Sequence, residues 1–361
     1  MSNSGQVTAG SATDALPALP ARARARLRPG PTLLCGAVMV VVALLGCALG
    51  PVSISPARIV AGLVGQLPGV ELTSDPLSAT ELAIVTQLRL PRVALGLLVG
   101  GLLAGCGATY QGVFRNPLAD PYLLGAASGA GLGAVVAIVL GLGGSGLIGV
   151  PVFAFIGSLL AVGLTYAIGS TGRTGGTTSL ILAGVAVTAF LGAVQTFLLQ
   201  QRTDQLQEVY GWLLGRLSVA GWTEVLVVLP YAVVALVVVI AGRRVLDVLA
   251  VGDDEARSLG LDARKARVVL VLAASLGTAA AVSVAGLIGF VGLVVPHLVR
   301  LACGGSFRVI VPLSVLLGAA VLVGADIAAR MALAPAEIPI GVVTAFLGAP
   351  FFALLLRRGR T

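Results

Sequence analysis

Long apolar runs follow one another along most of this chain, and each is long enough to cross a lipid bilayer as a helix. Ten can be drawn, at residues 32–50, 92–113, 122–142, 151–169, 180–200, 222–242, 266–286, 287–303, 309–329 and 339–356. A helical span takes about 20 apolar residues. Only 11% of the residues are charged and the mean hydropathy is +1.04, whereas about a quarter of a soluble domain is charged. The sequence therefore predicts an all-α polytopic membrane protein with about ten transmembrane helices.

The count depends on how the stretch 266–303 is divided. It is almost continuously apolar, and only Gly286, Gly289, Gly292 and Pro296 indicate a break, so nine spans remain an alternative. Cytoplasmic loops are enriched in Lys and Arg. Ten spans place most of the 23 basic residues, and both termini, on the cytoplasmic side. Nine spans would put the arginines at 357–360 outside, so ten is favoured.

The same rule accounts for the net charge of +8, which we interpret as a sign of membrane topology and not of nucleic-acid binding. In the ten-span arrangement, residues 51–91 form the longest early outer loop. The basic residues left on the outer side are Arg58, Arg89, Arg92, Arg202, Arg216 and Arg330.

The N-terminal 31 residues differ from the rest of the chain. They are polar, rich in Ala and Pro, and carry four arginines between 22 and 28. We predict a disordered cytoplasmic tail over 1–31, followed by a single transmembrane domain over 32–357. A signal peptide also combines basic residues with an apolar run, but the run from Thr32 to Gly50 is longer than the usual apolar region of about 7–15 residues.

Groups that could carry catalysis or bind a metal are scarce. The chain has one histidine, His297, and four cysteines without a Cys-x-x-Cys pair. It lacks the Gly-x-x-x-x-Gly-Lys-Ser/Thr loop of nucleotide-binding proteins and the repeated buried acids of ion-coupled carriers. We expect no enzyme activity, no metal site and no cofactor on this chain. Energy for uphill transport would enter through a partner.

Three polar features stand out. Residues 115–121 (RNPLADP) form a proline-rigidified turn between two apolar runs. In the charged stretch 243–267, Asp253 to Glu255 begin a short helical pattern that Gly260 could end, and Asp262 could cap the next span. Asp326 and Arg330 are four residues apart, the spacing of an ion pair on a helix.

These segments, in this order, resemble the FecCD family, the permease subunits of ABC importers for ferric siderophores, haem and cobalamin. The resemblance extends over about residues 51–357. The matching stretches are LRLPR at 88–92, QGVFRNPLADPYLLG at 111–125, LAGV at 182–185, WLLG at 212–215, EARSLG at 255–260, GLIGFVGLVVPHLVR at 286–300, ADIAAR at 325–330 and EIPIGVVTAFLGAP at 337–350.

The resemblance implies a permease of ten spans that works as a homodimer. Its partners would be two cytoplasmic ATPase subunits, which carry ATP and Mg²⁺, and an extracytoplasmic substrate-binding protein. Outer-face arginines of similar proteins pair with glutamates of that binding protein, and the matching residues are Arg89, Arg92 and Arg330. From the residues alone, anchoring at the membrane interface is the alternative role, and Asp326 competes for Arg330.

On the cytoplasmic side, the resemblance places one gate at Asn116 and Leu118 and a second at Thr177 and Thr178, in the loop 170–179. The segment within 243–265 is similar to the coupling helices that sit on the ATPase. The residues expected to couple are Asp253, Glu255, Ala256, Leu259 and Gly260, with Ala256 and Leu259 as a small apolar contact. We expect a ferric siderophore as substrate and the bacterial inner membrane as location. Haem, cobalamin and, in a different class, a secondary carrier are the alternatives.

Overall fold

The computed structural model describes residues 28–50, 52–65, 77–142, 149–170, 177–218 and 221–357. Within these ranges the chain forms fifteen α-helices. They are α1 (Pro29–Ala48), α2 (Pro56–Val64), α3 (Ala79–Ala83), α4 (Leu90–Val113), α5 (Ala126–Val139), α6 (Val150–Ser170), α7 (Thr177–Gln200), α8 (Leu206–Leu213), α9 (Trp222–Ala241), α10 (Arg243–Val251), α11 (Asp253–Ser258), α12 (Ala263–Ala285), α13 (Val291–Cys303), α14 (Phe307–Met331) and α15 (Ile340–Arg357).

The helices confirm the predicted all-α membrane class. Seven helical segments of the described chain are long and apolar enough to cross a bilayer, and three shorter apolar helices lie at 126–139, 291–303 and 340–354. Each of the ten predicted runs overlaps one of these helices, but the number of ten spans stays a prediction. The predicted break within residues 266–303 is present. Helix α12 ends just before Gly286, which has φ +70°, and α13 starts at Val291. Pro296, which was expected to mark the break, lies inside α13.

Near the N-terminus, two helices begin earlier than the predicted apolar runs. The first helix begins at Pro29, and residues 1–27 of the predicted tail lie outside the described residues. The predicted outer loop 51–91 contains α2 and α3, and a continuous helix runs from Ala79 to Val113. A π-helical turn over Ile84–Arg89 precedes Pro91 in this helix. Proline lacks an N–H and crowds the carbonyl one turn earlier, so the wider turn relieves that conflict.

The segment between α4 and α5 turns back into the bundle, so α5 starts at Ala126 and not at the predicted residue 122. Two side chains pin this non-helical backbone. The Thr165 hydroxyl of α6 donates to the Leu124 carbonyl at 2.9 Å. The Tyr122 hydroxyl donates to the Ile288 carbonyl at 3.0 Å and accepts from the Ile288 N–H at 3.1 Å, inside the α12–α13 break. Non-helical backbone is tolerated inside a helical membrane protein where other parts of the protein cover it.

Small residues allow the closest helix contacts. A Cβ added at Gly129 of α5 would overlap the Gly157 carbonyl of α6, and one at Gly100 of α4 would overlap the Gly318 carbonyl of α14. The α4–α14 pair has the most extensive packing in the bundle. These two helices carry residues of interest at both of their ends.

Candidate functional site

Arg89 and Arg330 bind the C-terminal end of α1. The last carbonyls of a helix have no partner within the helix. Arg89 donates to the carbonyls of Cys47 at 2.7 Å and Ala48 at 3.0 Å, and also to that of Val52. Arg330 donates to the carbonyls of Gly46 and Leu49, both at 3.1 Å. Each arginine is only 7% exposed. The two guanidinium groups therefore serve every terminal carbonyl of α1 and neutralise the negative end of its dipole.

This geometry predicts a stability effect that does not depend on any partner. Arg89→Gln should destabilise the protein by about 1–3 kcal/mol, because buried carbonyls lose charged donors. Thermal unfolding in detergent should show a lower Tm. The control is Arg202→Gln, since Arg202 is exposed just after α7 and its side chain has no hydrogen bond or ion pair with the described residues. Equal Tm values for the two variants would contradict the capping role.

Arg92 lies between two carboxylates. Its Nε and Nη2 atoms donate to Asp326 at 3.0 and 2.9 Å, and its Nη1 and Nη2 atoms donate to Glu337 at 3.0 and 2.9 Å. Asp326 also forms an ion pair with Arg330, whose Nε lies 3.0 Å from the carboxylate. This confirms the predicted i,i+4 pair. The side chain of Asp326 is 3% exposed and that of Glu337 is 40% exposed. We call Arg89, Arg92, Asp326, Arg330 and Glu337 the arginine cluster.

A cavity of about 190 Å³ opens beside the cluster. Arg92, Asp326 and Glu337 line one part of it, and Arg216 and Ser218, which follow α8, line another. Arg216 is exposed, and its guanidinium has no recorded hydrogen bond or ion pair with the described residues. The structure thus brings the three predicted docking arginines together, and it adds Arg216 and Glu337, which were not predicted. Their docking role stays a prediction.

The opposite end of the bundle, which we call the α11 end, contains the predicted gate and coupling residues. Arg115 follows α4 and has a left-handed backbone, with φ at 51°. Its Nε donates to the Leu249 carbonyl at 2.6 Å, and its Nη2 pairs with Asp253. Asp253 also accepts from Arg267 of α12 at 2.8 Å. Asp253 therefore ties the turn after α4 to both α11 and α12.

The two arginines lower the pKa of Asp253 to about 2, with the hydrogen bonds from Arg267 as the largest cause. A depressed carboxyl pKa means that the charged network persists above the ordinary pKa and is lost only as the pH falls toward 2. The link between these elements is consequently intact over the whole physiological range.

The predicted gate residues lie in two places at the α11 end. Asn116 stabilises its turn, since its side-chain oxygen accepts from the Leu118 N–H at 2.9 Å, and Leu118 is 39% exposed. Thr177 and Thr178 begin α7, and Thr178 is exposed; residues 171–176 of the predicted gate loop lie outside the described residues. A cavity of about 470 Å³ at the same end is lined by Phe114, which follows α4, and by Ser170 and Leu180 of α6 and α7.

The short helix predicted before Gly260 is present as α11. Gly260 has φ +78°, the Gly260 N–H donates to the Arg257 carbonyl, and the Leu261 N–H donates to the Ala256 carbonyl, both at 2.9 Å. This bond pattern is the Schellman motif that commonly ends a helix. Asp262 caps α12 by accepting from the Lys265 N–H at 3.0 Å, as predicted.

The apolar contact expected on α11 needs a correction. Ala256 is fully buried in the hydrophobic core, so it holds α11 on the protein and cannot itself contact a partner. Leu259 is 72% exposed and is the apolar side chain that this turn presents. Glu255 lies in the first turn of α11 and is exposed. The coupling role of α11 stays a prediction.

Asp247 of α10 makes further contacts that were not predicted. Its carboxylate accepts from the Phe307 N–H at 2.6 Å and from the Ser306 hydroxyl at 2.8 Å, and it pairs with Arg308 at 3.2 Å. It caps the N-terminus of α14, where an anion is favoured. Ser306 and Phe307 are 59 and 60 positions away from Asp247 in the sequence, so these contacts leave no local signal.

The described part of the chain contains no group of three or more His, Cys, Asp or Glu side chains that could hold a metal ion. What the fold defines is a multi-pass helical membrane protein with a polar cluster at each end of one closely packed helix pair. The model of the FecCD transport family matches residues 38–358, and the chain belongs to that family.

Its relatives are named as permeases of import systems. The chain is 46% identical to the cobalamin import system permease of Halobacterium salinarum, over 77% of this chain and 74% of the relative. It is 41% identical to the hemin transport permease of Yersinia pestis, over 76% and 83% respectively, and 40% identical to the iron(3+)-hydroxamate import permease of Bacillus subtilis, over 78% and 73%. A solved structure titled as a metal-chelate type ABC transporter, in an inward-facing conformation, superposes with a TM-score of 0.80 and 26% identity, over 92% of this chain and 100% of that one.

Proposed function

We propose that this chain is the permease subunit of an ATP-driven importer that moves a ferric siderophore across the cytoplasmic membrane. The observation that carries the proposal is the range of its relatives, which are named for iron hydroxamate, ferric citrate, haem and cobalamin. All of these are metals enclosed in an organic chelate. The lack of a metal-ligand cluster in the described chain fits a substrate that passes with its metal already coordinated.

Cobalamin is the second candidate substrate. It is favoured by the relative from Halobacterium salinarum, whose 46% identity exceeds the 40% of the iron-hydroxamate relative.

Uptake by the complete transporter in proteoliposomes separates these candidates. Radiolabelled ferric hydroxamate, cobalamin and haem are supplied singly, each with the chelate-binding proteins of the source organism. ATP-dependent uptake of the ferric chelate supports the first proposal, and uptake of cobalamin alone supports the second.

The same experiment separates an ABC importer from a secondary carrier. An ATPase partner that cannot hydrolyse ATP should abolish uptake, whereas a protonophore should leave it unchanged. Uptake that requires a proton gradient and no ATPase would refute the proposed mechanism.

The assembly we propose has two permease copies, two cytoplasmic ATPase subunits and one extracytoplasmic binding protein. The arginine cluster would receive the binding protein, because it gathers three arginines and one exposed carboxylate at a single end. The α11 end would contact the ATPase through Leu259 and Glu255. The packed pair of α4 and α14 supports this assignment. Arg92 and Arg330 lie toward one end of the pair. Arg115 and Phe307, whose N–H donates to Asp247, lie at the other end.

This assembly predicts the membrane orientation. Both termini should be cytoplasmic, because positive charge is retained on that side. A reporter that is active only in the cytoplasm, fused after Thr361, should therefore be active. A second fusion in the loop 332–337 should be inactive. An inactive C-terminal fusion to a well-inserted protein would mean an odd number of spans.

A further inference from the structure

Within the arginine cluster, the carboxylate of Glu337 already occupies Arg92, the residue that would bind a carboxylate of a docking protein. Glu337 meets the outer edge of Arg92 with two near-parallel bonds of 3.0 and 2.9 Å. This is the bidentate geometry in which a guanidinium holds a carboxylate. A carboxylate of a docking protein can take the same edge only after Glu337 has left it.

The two carboxylates on Arg92 differ in how firmly they are held. Asp326 is buried, contacts the inner edge of Arg92 and also pairs with Arg330. Glu337 has a 40% exposed side chain, at the end of the exposed segment 332–337 between α14 and α15. Loss of Glu337 into water breaks no buried contact and leaves Arg92 oriented by Asp326. The outer carboxylate is therefore exchangeable and the inner one is not.

Arg216 supplies the second half of the site. It lines the same 190 Å³ cavity as Arg92 and Glu337, is exposed, and has no recorded ion pair with the described residues. A carboxylate entering this cavity can therefore pair with Arg216 while Glu337 still occupies Arg92. Electrostatic attraction of this kind raises the rate of encounter as well as the affinity.

We propose that this cavity receives an acidic side chain of the extracytoplasmic binding protein, which displaces Glu337 from Arg92 and pairs with Arg216. The proposal rests on the proposed function, since it assumes that the arginine cluster is the docking surface. It adds that Glu337 is an internal competitor and Arg216 a receiving residue. Binding is thus an exchange of one carboxylate for another on Arg92.

The test measures the affinity of the complete transporter, in nanodiscs, for the binding protein that stimulates its ATP hydrolysis in the uptake experiment. Glu337→Gln should bind about three- to tenfold more tightly, because the competitor's charge is removed while its shape is kept. Arg216→Gln should bind more weakly by a similar factor. Both effects should shrink as the salt concentration rises from 50 to 300 mM.

Matched controls separate exchange from a general charge effect. Glu208→Gln removes an exposed carboxylate on α8, and Arg202→Gln removes an exposed arginine after α7, both outside the cavity lining. Each control should change affinity less than twofold, an effect near the lower limit for exposed charges. Thermal unfolding of every variant confirms that it is folded.

The proposal is overturned if Glu337→Gln binds no more tightly than Glu208→Gln, or if Arg216→Gln matches Arg202→Gln. Failure of docking itself gives a different result, because Arg92→Gln would then also leave the affinity unchanged. If Arg92→Gln weakens binding while the Glu337 and Arg216 variants do not, the docking surface stands and the exchange is refuted.

Discussion

Gly260→Val should reduce ATP-driven uptake by about tenfold or more while leaving the binding protein's affinity unchanged. Gly260 ends α11 at φ +78°, a conformation that costs a side-chain-bearing residue about 1–2 kcal/mol, and more when it is β-branched. A Cβ at this position would meet no atom within 4 Å, so the strain is in the backbone alone. The turn that presents Leu259 would shift, and we expect ATPase movement to stop reaching the permease. Uptake and ATP hydrolysis in proteoliposomes provide the measurements.

Gly260→Asn is the matched control, because asparagine tolerates the left-handed conformation. It should retain most of the transport activity. Leu259→Ala is a second variant that leaves the backbone unstrained and removes an exposed side chain. It should weaken association with the ATPase. Normal uptake and normal stimulation of ATP hydrolysis by Gly260→Val would show that α11 does not couple the two subunits.

Arg92→Glu should weaken the binding protein's affinity by about a hundredfold at low salt. The substitution places a third carboxylate against Asp326 and Glu337 and removes the cation that both of them contact. Repulsion at this surface adds to the loss of attraction, since like charges facing each other across an interface cost several kcal/mol. Arg92→Lys keeps the charge but lacks the bidentate fork, so its affinity should be intermediate.

Arg202→Glu makes the same charge change on the same side of the protein and should have a much smaller effect. Charge reversal of the paired glutamate on the binding protein should partly restore affinity to Arg92→Glu. An affinity that is equal to wild type at both low and moderate salt would remove Arg92 from the docking surface. Arg89 is a poorer choice for this test, because its reversal would also disrupt the end of α1.

The elements that the sequence predicted well are those with local signals. Helix α11, its glycine end and the Asp262 cap all follow from residues within ten positions of one another. The break after Gly286 and the ion pair between Asp326 and Arg330 are local too. Apolar length likewise located the helices that could cross the membrane.

The arginine cluster shows why the remainder was not predicted. Arg92 and Asp326 are 234 positions apart, and Arg92 and Glu337 are 245 apart, so only the packing of α4 against α14 brings them together. The resemblance indicated the three arginines but not that Arg89 and Arg330 are directed into the end of α1. The prolines at 117 and 121 predicted a turn; they did not reveal that the chain turns back between the helices. Hydrophobic patterning locates helices, whereas the partners of buried polar groups depend on tertiary contacts.

The shortness of α5 has a consequence for how the protein enters the membrane during synthesis. Its 14 residues make a helix of about 21 Å, which is shorter than the hydrocarbon core of about 30 Å. Alone it would leave backbone groups of the preceding segment in lipid, at a cost of several kcal/mol each. We therefore expect it to insert as a hairpin with α6, whose Thr165 hydroxyl donates to the Leu124 carbonyl just ahead of it. On this expectation, the translocon holds the first helix of this pair until the second has been synthesised.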